Sequence, residues 1–285
     1  MRVAMAQSEA HRSPVAEPRP PSVDVRDDLF AGLRGASFPF GITACEPGVL
    51  AGAGRIAAKA VELGIRIEWL AEDGARLEPG AHVCRARGDA WQVARAEEQF
   101  IALVAKASGV ATAAASLVAQ AGGRARIVCG AWKKVSAEVR AALRDAAAVG
   151  GVGTRILDTP FVYLDKNYVR MLGGVGSAVR RARGVPGRAV VVQLRGETAR
   201  ITDEAREALA EGAAVLMVDT GRLADLAAVA GLAESDRLGA QTQVAFAGSI
   251  GPASLHDALE AGATILDVGR AILDAPMIDL RLDVT

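Results

Sequence analysis

The sequence has few residues of the kinds that build metal centres and disulfide frameworks. Its 285 residues include three cysteines and three histidines, and aromatic residues make up 4%. Cys45, Cys84 and Cys129 are far apart and odd in number, which argues against a disulfide framework and against a cysteine–histidine metal site. The formal net charge is +0, so no excess of one sign points to nucleic acid or to an acidic membrane surface.

Long hydrophobic runs are missing as well. The first 22 residues hold no apolar core of signal-peptide length, and no later run has the length and apolarity of a membrane span. Together with the cysteine usage, these absences predict a cytoplasmic protein. Hydrophobic residues still make up 51% of the chain, which predicts a well-buried core.

The pattern along the chain predicts a small α+β unit followed by a long helix. Residues 1–22 are rich in Pro, Ser, Arg and Glu without periodicity, which predicts a disordered tail. An extended segment at 40–50, a helix at 51–63 that ends at Gly64, and strands at 65–70 and 82–87 follow. Residues 89–120 predict a long Ala-rich helical stretch with a break at Gly109.

After Arg124 the pattern alternates between strands and helices. Strands are predicted at 125–129, 155–157, 161–164, 189–194, 214–218, 244–246 and 265–268, and helices at 137–148, 175–183, 203–211, 223–230 and 253–261. The strands are short and rich in Val and Ile, as in a parallel sheet buried on both faces. Seven such strands favour an α/β barrel over an open doubly wound sheet, and no glycine fingerprint for a dinucleotide follows the first strand.

The stretch from Gln243 to Arg270 predicts a β–α–β unit with a small-residue turn after each strand. Gly248 and Ser249 follow one strand, and Gly269 and Arg270 follow the next. Glycine lets a backbone N–H approach a ligand closely, and in α/β barrels a phosphate is often held after the last two strands. These four residues are therefore candidates for phosphate binding, and an ordinary strand–helix turn with nothing bound is the open alternative.

Charged side chains follow several other strands of the predicted barrel, at the end where barrel enzymes carry their reactive groups. Lys133, Arg155 and Lys166 would suit an anionic substrate, since a guanidinium group matches a carboxylate or phosphate. Asp219 would suit ribose hydroxyls or a Mg²⁺ ion. Solvated surface charges for the lysines and a helix N-cap for Asp219 are the alternatives.

Six motifs carry a resemblance to a known family: Glu72-Asp73-Gly74 with Pro79-Gly80, Ala107–Thr112, Val149–Val152, Met217–Thr220, Ala247–Ser249 and Asp279–Val284. Together they resemble the quinolinate phosphoribosyltransferase family (nicotinate-nucleotide pyrophosphorylase, carboxylating) over most of residues 40–284. The resemblance implies an open α/β sandwich at 23–118, a seven-stranded α/β barrel at 119–270 and a segment at 271–285 that returns to the first domain. It also implies a homodimer in which one sandwich covers the partner's barrel mouth, with higher assembly left open.

The resemblance assigns catalytic roles to Lys133, Arg155 and Asp219, and it matches Gly248 and Gly269 to phosphate-binding turns. The departures from the family pattern concern the substrate pocket. Glu98 and Trp132 stand where arginines are expected, Thr154 where a histidine is expected, and Gln193 near a glutamate position. Leu273 stands at a histidine position, and Lys166 is displaced by one residue from the family's lysine.

These departures predict poor use of quinolinate, because each lost charge-assisted hydrogen bond costs about 1.5–3 kcal/mol. The first hypothesis is a phosphoribosyltransferase-type enzyme that makes or breaks an N-glycosidic bond to another pyridine-like heterocycle. Trp132 would stack on its ring, and Glu98 would pair with an amine or amide. A catalytically inactive homologue that binds a phosphorylated metabolite or a partner protein is the alternative, and a Schiff-base lyase using Lys133 or Lys166 is a third. The pattern allows Mg²⁺ at Asp219 and predicts no organic cofactor, nucleic acid or membrane.

Overall fold

The computed structural model describes residues 24–235 and 242–285, so the predicted tail at 1–22 lies outside the described residues. The first part of the chain is a small α+β unit. Its elements are α1 (Val25–Leu29), a 3-10 turn (Ala31–Leu33), β1 (Phe38–Ala44), β2 (Gly48–Val49), α2 (Ala53–Leu63), β3 (Arg66–Leu70), β4 (Arg76–Leu77) and β5 (His82–Gly88). The predicted helix and strands of this unit are confirmed within two residues at most boundaries. Gly64 ends α2 in the left-handed conformation that glycine adopts readily.

A four-stranded antiparallel sheet in the order β12-β1-β5-β3 organises this unit. Its edge strand β12 (Leu280–Val284) is the last strand of the chain, so the C-terminal segment packs on the first part of the fold. The apolar face of the sheet, including Phe40, Ile42 and Val83, forms one core with α2 and the first half of the long helix α3.

Helix α3 (Ala90–Ala121) connects the two parts of the protein, and it runs unbroken through Gly109. The predicted break was wrong, because Gly109 serves packing: a Cβ atom there would lie 1.8 Å from the carbonyl oxygen of Pro276. Close to it on the helix, Ser108 Oγ accepts a hydrogen bond from the Ala51 N–H at 3.1 Å, and Thr112 Oγ1 accepts one from the Val49 N–H at 2.8 Å. The motif at 107–112 therefore joins α3 to the neighbouring segments.

By length and apolarity alone, α3 meets the criterion for a membrane span, unlike what the sequence predicted. Half of its most apolar window is buried inside the protein. The helix supplies side chains to two hydrophobic cores, with Phe100 in the first and Leu117 in the second. Core packing therefore accounts for the apolar composition of α3.

The second part of the chain alternates between strands and helices as predicted. Its strands are β6 (Arg126–Val128), β7 (Phe161–Leu164), β8 (Ala189–Leu194), β9 (Val215–Val218), β10 (Gln243–Ala247) and β11 (Ile265–Asp267). Its helices are a 3-10 turn (Ala131–Lys134), α4 (Ala137–Val149), α5 (Lys166–Met171), α6 (Val175–Arg183), α7 (Ile201–Ala210), α8 (Leu223–Ser235), α9 (Pro252–Glu260) and α10 (Arg270–Leu273). Within the described residues the sheet has six strands, all parallel, in the order β6-β11-β10-β9-β8-β7.

The two faces of this sheet carry separate apolar clusters because side chains alternate along each strand. One face packs against the helices. The other face holds a small cluster, which consists of Val128, Ile156, Val191, Val215, Met217, Ala245 and Ile265. This second face thus carries an apolar layer, and residues two positions further along each strand continue the same face toward the carboxyl ends.

The structure departs from the sequence prediction at two elements of the second part: one predicted strand is absent from the described residues, and one helix was not predicted. The predicted strand at 155–157 was wrong: that segment is irregular, and only Gly153 next to it forms a single bridge, with Val128 of β6. Helix α5, which is not among the predicted helices, follows β7, and its N-cap Asp165 accepts hydrogen bonds from the N–H groups of Asn167 and Tyr168. The bulky residues around Arg155 have the pattern of a strand, but in the folded protein only one residue near them, Gly153, pairs with β6.

Candidate active site

A cavity of about 940 Å³ opens at the carboxyl ends of the parallel strands. Its floor continues the sheet face that carries the small apolar cluster: Met217 belongs to that cluster, and Tyr163, Gln193 and Asp267 extend the face beyond it. In the described part of the chain, its walls carry eight basic and three acidic side chains: Lys133, Lys134, Arg140, Arg144, Arg155, Lys166, Arg195 and Arg270, with Asp165, Asp219 and Asp267. This excess of positive charge suits an anionic ligand.

The cavity brings together almost all of the residues predicted from the sequence. It is lined by Trp132, Lys133, Thr154, Arg155, Lys166, Gln193, Asp219, Gly248, Ser249, Gly269 and Arg270. Glu98 is the exception: it lies on α3, and its carboxylate forms an ion pair with Arg26 at 3.0 Å. Glu98 therefore has no place in the cavity of its own chain, and its predicted contact with substrate would need a second subunit.

Asp219 is the centre of a hydrogen-bond network on the cavity wall. Its Oδ2 atom accepts a hydrogen bond from Arg195 Nη1 at 3.0 Å and another from Gln193 Nε2. Gln193 in turn accepts from the backbone N–H of Lys166 at 2.7 Å. Arg195 also pairs with Glu197 at 2.8 Å, and this pairing holds the pKa of the Glu197 carboxyl below its usual range. The network fixes three candidate residues relative to one another.

The predicted magnesium site at Asp219 has little support from the donor set. Among residues 24–235 and 242–285, no group of three His, Cys, Asp or Glu side chains is placed to hold a metal ion. Asp219 itself is already engaged by a guanidinium group through one oxygen. A hard cation prefers several oxygen ligands, so the protein groups do not form a site for Mg²⁺ by themselves.

The loop after β8 is held by a buried carboxylate that the sequence pattern did not single out. Glu204 is 2% exposed, on the first turn of α7. It accepts hydrogen bonds from the backbone N–H groups of Arg195, Gly196 and Thr198 at 2.8–3.0 Å and from the Thr198 hydroxyl at 2.8 Å. Because Arg195 begins this loop, Glu204 positions the partner of Asp219.

We expect Glu204→Gln to destabilise the fold by about 2–3 kcal/mol, because an amide NH₂ group would face backbone donors where a carboxylate oxygen now accepts. Urea denaturation followed by circular dichroism measures the loss. Glu234→Gln is the matched control, since Glu234 lies exposed on α8, and its change should stay within about 0.5 kcal/mol. Equal stability of the two variants would contradict the structural role of Glu204.

The two glycine turns predicted to bind phosphate have packing requirements of their own. Gly248 has φ +119°, and a Cβ atom there would lie 2.6 Å from the backbone nitrogen of Gly221 in the neighbouring loop. A Cβ atom on Gly269 would lie 2.9 Å from the Cβ atom of Ala131. Ser249 has φ +55°, a conformation that is uncommon for a residue other than glycine. The turns are closely packed and face the cavity, which leaves their phosphate role as a prediction.

Helix α4 contributes two arginines that strand-end reasoning could not identify. Arg144 lies over the ring of Trp132, 5.3 Å from its centroid, and Arg140 donates two hydrogen bonds to the Val135 carbonyl oxygen. Trp132 is 4% exposed and packs in the core, with an indole N–H that has no partner among the described residues. Its ring is therefore stacked against Arg144 in this structure.

The sequence analysis also missed Asp267 and Tyr163. Each lies two residues after a strand residue of the small apolar cluster's face, so the period of two along a strand would have identified both. Gly130 N–H donates to Asp267 Oδ1 at 2.7 Å. Burial raises the pKa of Asp267, and Asp219 adds to the increase, while the Gly130 hydrogen bond and Lys134 oppose it. Tyr163 is 37% exposed to the cavity yet closely surrounded by protein, and this desolvation raises the pKa of its phenol.

Burial likewise raises the pKa of the Cys129 thiol to about 11.

Comparisons with known proteins agree with this architecture. The family model described as "Quinolinate phosphoribosyl transferase, C-terminal domain" matches residues 110–283, and the corresponding N-terminal domain matches residues 27–108. A "Nicotinate-nucleotide pyrophosphorylase [carboxylating]" from Homo sapiens is 31% identical over 176 residues, which are 61% of this chain and 58% of that protein. A probable protein of the same name from Methanothermobacter thermautotrophicus is 26% identical over 259 residues, 88% of this chain and 90% of that protein.

Solved structures share the fold at lower sequence identity. The nicotinate-nucleotide pyrophosphorylase from Francisella tularensis superimposes with a TM-score of 0.76 at 21% identity, over 92% of this chain and 94% of that one. The one from Ehrlichia chaffeensis gives 0.79 at 14% identity, over 92% of each chain. The two domain models together account for nearly all of the described residues, and on that evidence the chain belongs to the quinolinate phosphoribosyltransferase family.

Proposed function

We propose that the protein transfers a 5-phosphoribosyl group between pyrophosphate and a pyridine-like heterocycle other than quinolinate. The observation that carries the proposal is the basic cavity at the carboxyl ends of the strands, in which Lys133, Arg155 and Asp219 line one space. Family membership supports a phosphoribosyl-containing ligand. We also propose a closed barrel, with the Gly153 segment as its seventh member beside β6.

The proposed chemistry is electrostatic. The bond from ribose C1 to the pyrophosphate oxygen breaks, its electron pair leaves on pyrophosphate, and the lone pair of a ring nitrogen forms the new C1–N bond. Lys133 and Arg155 would stabilise the charge on the leaving pyrophosphate, and Asp219 would hold the ribose hydroxyls. Positioning and charge stabilisation would supply most of the rate acceleration. Any Mg²⁺ would need most of its ligands from the substrate phosphates, so no step is assigned to it.

The acceptor is proposed to carry fewer negative charges than quinolinate. Trp132 and Thr154 stand where the family resemblance predicts an arginine and a histidine. Arg140 and Arg144, which lie on α4, return part of this positive charge to the cavity. The predicted specificity therefore depends on where the charged side chains lie as well as on their sum.

A panel of acceptors tests the proposal. Phosphoribosyl pyrophosphate is mixed with quinolinate, nicotinate or nicotinamide, and pyrophosphate release is measured. We expect kcat/KM for quinolinate to be at least about 100-fold below that of the best acceptor, because two charge-assisted hydrogen bonds are worth about 3 kcal/mol or more. The reverse reaction from the mononucleotide and pyrophosphate serves as the control for direction. Efficient turnover of quinolinate would contradict the altered specificity and leave the reaction class intact.

One observation favours a second candidate, a catalytically inactive homologue that binds a phosphorylated metabolite or a partner protein. The Asp219 carboxylate, which would hold ribose hydroxyls, is already engaged by Arg195 and Gln193. A rise in melting temperature with phosphoribosyl pyrophosphate, without turnover of any acceptor, would select this candidate.

We further propose a homodimer that works in the reducing cytoplasm. The three cysteines are all free. The resemblance implies that α3 of one subunit approaches the cavity of the other, and this arrangement would bring Glu98 to the partner's substrate. Analytical ultracentrifugation tests the dimer directly.

A further inference from the structure

A carboxyl group lies on the cavity floor at the end of β11, the strand that leads to one glycine turn and is paired with β10, which leads to the other. Asp267 is the last residue of β11, and its partners in the sheet are Ala247 of β10 and Val128 of β6. Gly248 directly follows Ala247, and Gly269 comes two residues after Asp267. A phosphate bound at these turns would therefore lie beside the Asp267 carboxyl group.

The backbone that follows β6 holds this carboxyl group in place. The Gly130 N–H donates to Oδ1 at 2.7 Å, and a Cβ atom on Gly130 would lie only 2.5 Å from Oδ2. Glycine at position 130 thus permits the close approach. Oδ1 is occupied by this hydrogen bond, whereas Oδ2 has no hydrogen-bond partner within the described residues, and Asp267 lines the cavity.

The charges that face Asp267 do not neutralise it. Asp219 faces it from the end of β9, Tyr163 from β7, Lys134 from the turn after β6, and the buried Cys129 thiol from the end of β6. Ala247 at the end of β10 and Gly269 before α10 are uncharged, whereas Arg270, the first residue of α10, lines the same cavity without pairing with Asp267 in the described part of the chain. No ion pair within 4.0 Å in the described part of the chain includes Asp267. Burial and the Asp219 charge both raise the pKa of this group, which favours the neutral acid.

We propose that Asp267 binds the ligand's phosphate as a neutral carboxylic acid. Oδ1 accepts the hydrogen bond from Gly130, and the proton on Oδ2 is donated to a phosphoryl oxygen. An ionised carboxylate would instead meet a phosphate of like charge in a partly desolvated site. Binding of a phosphate dianion therefore takes up one proton from solvent wherever Asp267 is ionised in the free protein. This inference rests on the proposed function, because it takes the ligand to be phosphorylated.

The sign of the pH dependence follows from the bound state. A phosphate dianion beside Asp267 raises the pKa of the carboxyl group further, so affinity is full below the pKa of the free protein. Affinity then falls as the pH rises through that pKa, by up to about ten-fold per pH unit for one proton. The amide of the variant Asp267→Asn cannot ionise, yet it retains an oxygen that accepts from Gly130 and an N–H that donates.

Calorimetric titration with ribose 5-phosphate tests the proposal. At pH 8 the phosphate group of the ligand is already a dianion, since its second pKa is about 6. Titration in two buffers with different ionisation enthalpies gives the number of protons taken up. We expect the wild-type protein to take up as much as one proton more than Asp267→Asn. The ratio of wild-type to variant affinity should fall by up to about ten-fold per unit as the pH rises above the pKa of Asp267 in the free protein, and this ratio cancels the titration of the ligand itself.

A second variant keeps the test decisive. Asp267→Ser removes the charge with a smaller side chain, and it provides the comparison if circular dichroism shows that Asp267→Asn does not fold. Equal proton uptake by the wild type and both variants, with parallel pH profiles, would overturn the role of Asp267 and leave the proposed function intact. Absence of ribose 5-phosphate binding by the wild type would overturn the proposed function, and the inference would fall with it.

Discussion

Gly109→Ala is expected to destabilise the protein by about 4 kcal/mol or more, or to prevent folding. The added methyl group would lie 1.8 Å from the carbonyl oxygen and 2.9 Å from the carbonyl carbon of Pro276. These are backbone atoms, so a change of side-chain rotamer cannot relieve the clash. The C-terminal segment would have to move away from α3. That movement would break the hydrogen bond from the Ile278 N–H to the Ala105 carbonyl oxygen, 3.0 Å long, and loosen β12. Overpacking against rigid backbone is among the few causes of such large effects.

The measurement is the free energy of unfolding from urea titration, and Gly231→Ala is the matched control. Gly231 also lies inside a helix, but a Cβ atom there would have no heavy atom of the described residues within 4 Å. Alanine should therefore stabilise that helix by about 0.5–1 kcal/mol. If Gly109→Ala also stabilised the protein, the close approach of α3 and the C-terminal segment would not exist in solution.

Lys133→Ala is expected to lower kcat/KM for phosphoribosyl transfer by about 10²–10³-fold, the usual cost of removing one group that stabilises charge in the transition state. Lys133 lies on the 3-10 turn after β6 and lines the cavity. No carboxylate among the described residues pairs with it, so its charge is available to the ligand. The assay is pyrophosphate release with the acceptor that the panel identifies, and the larger effect should fall on kcat.

Lys59→Ala is the control for this variant. Lys59 lies on α2, pairs with Glu62 on the same helix, and does not line the cavity. We expect its kcat/KM to equal that of the wild type within about a factor of two. A folded Lys133→Ala protein with unchanged kcat/KM would show that Lys133 stabilises neither the bound substrate nor the proposed transition state.

Secondary structure was largely accessible from the sequence where periodicity was strong. The strands β8 and β9 are mostly apolar and rich in Val, and their alternate residues face two different apolar clusters, so hydrophobic pattern and burial agree. The strand predicted at 155–157 was wrong because a short apolar pattern does not indicate whether a partner strand is present. The break expected at Gly109 failed because glycine in a helix serves close packing as readily as termination.

The residues of the candidate site likewise fall into those that the sequence could identify and those that it could not. Gln193 and Asp219 were accessible because they follow buried strands, and parallel strands end at one edge of a sheet. Asp267 was accessible in principle by the same count. Arg140, Arg144 and Glu204 were not, because helices place them and their contacts are with side chains and loops outside the strand pattern.

The sequence by itself determined the alternating architecture, the family and the set of strand-end residues, since each depends on local periodicity or on a short motif. Only the tertiary structure decided which charges are free to act. It paired Glu98 with Arg26 and Asp219 with Arg195, and it turned Arg144 onto Trp132. It also placed Asp267, which forms no ion pair with the described residues, against Gly130. The physical reason is that the effect of a charge depends on its neighbours and on its desolvation, and the folded chain alone sets both.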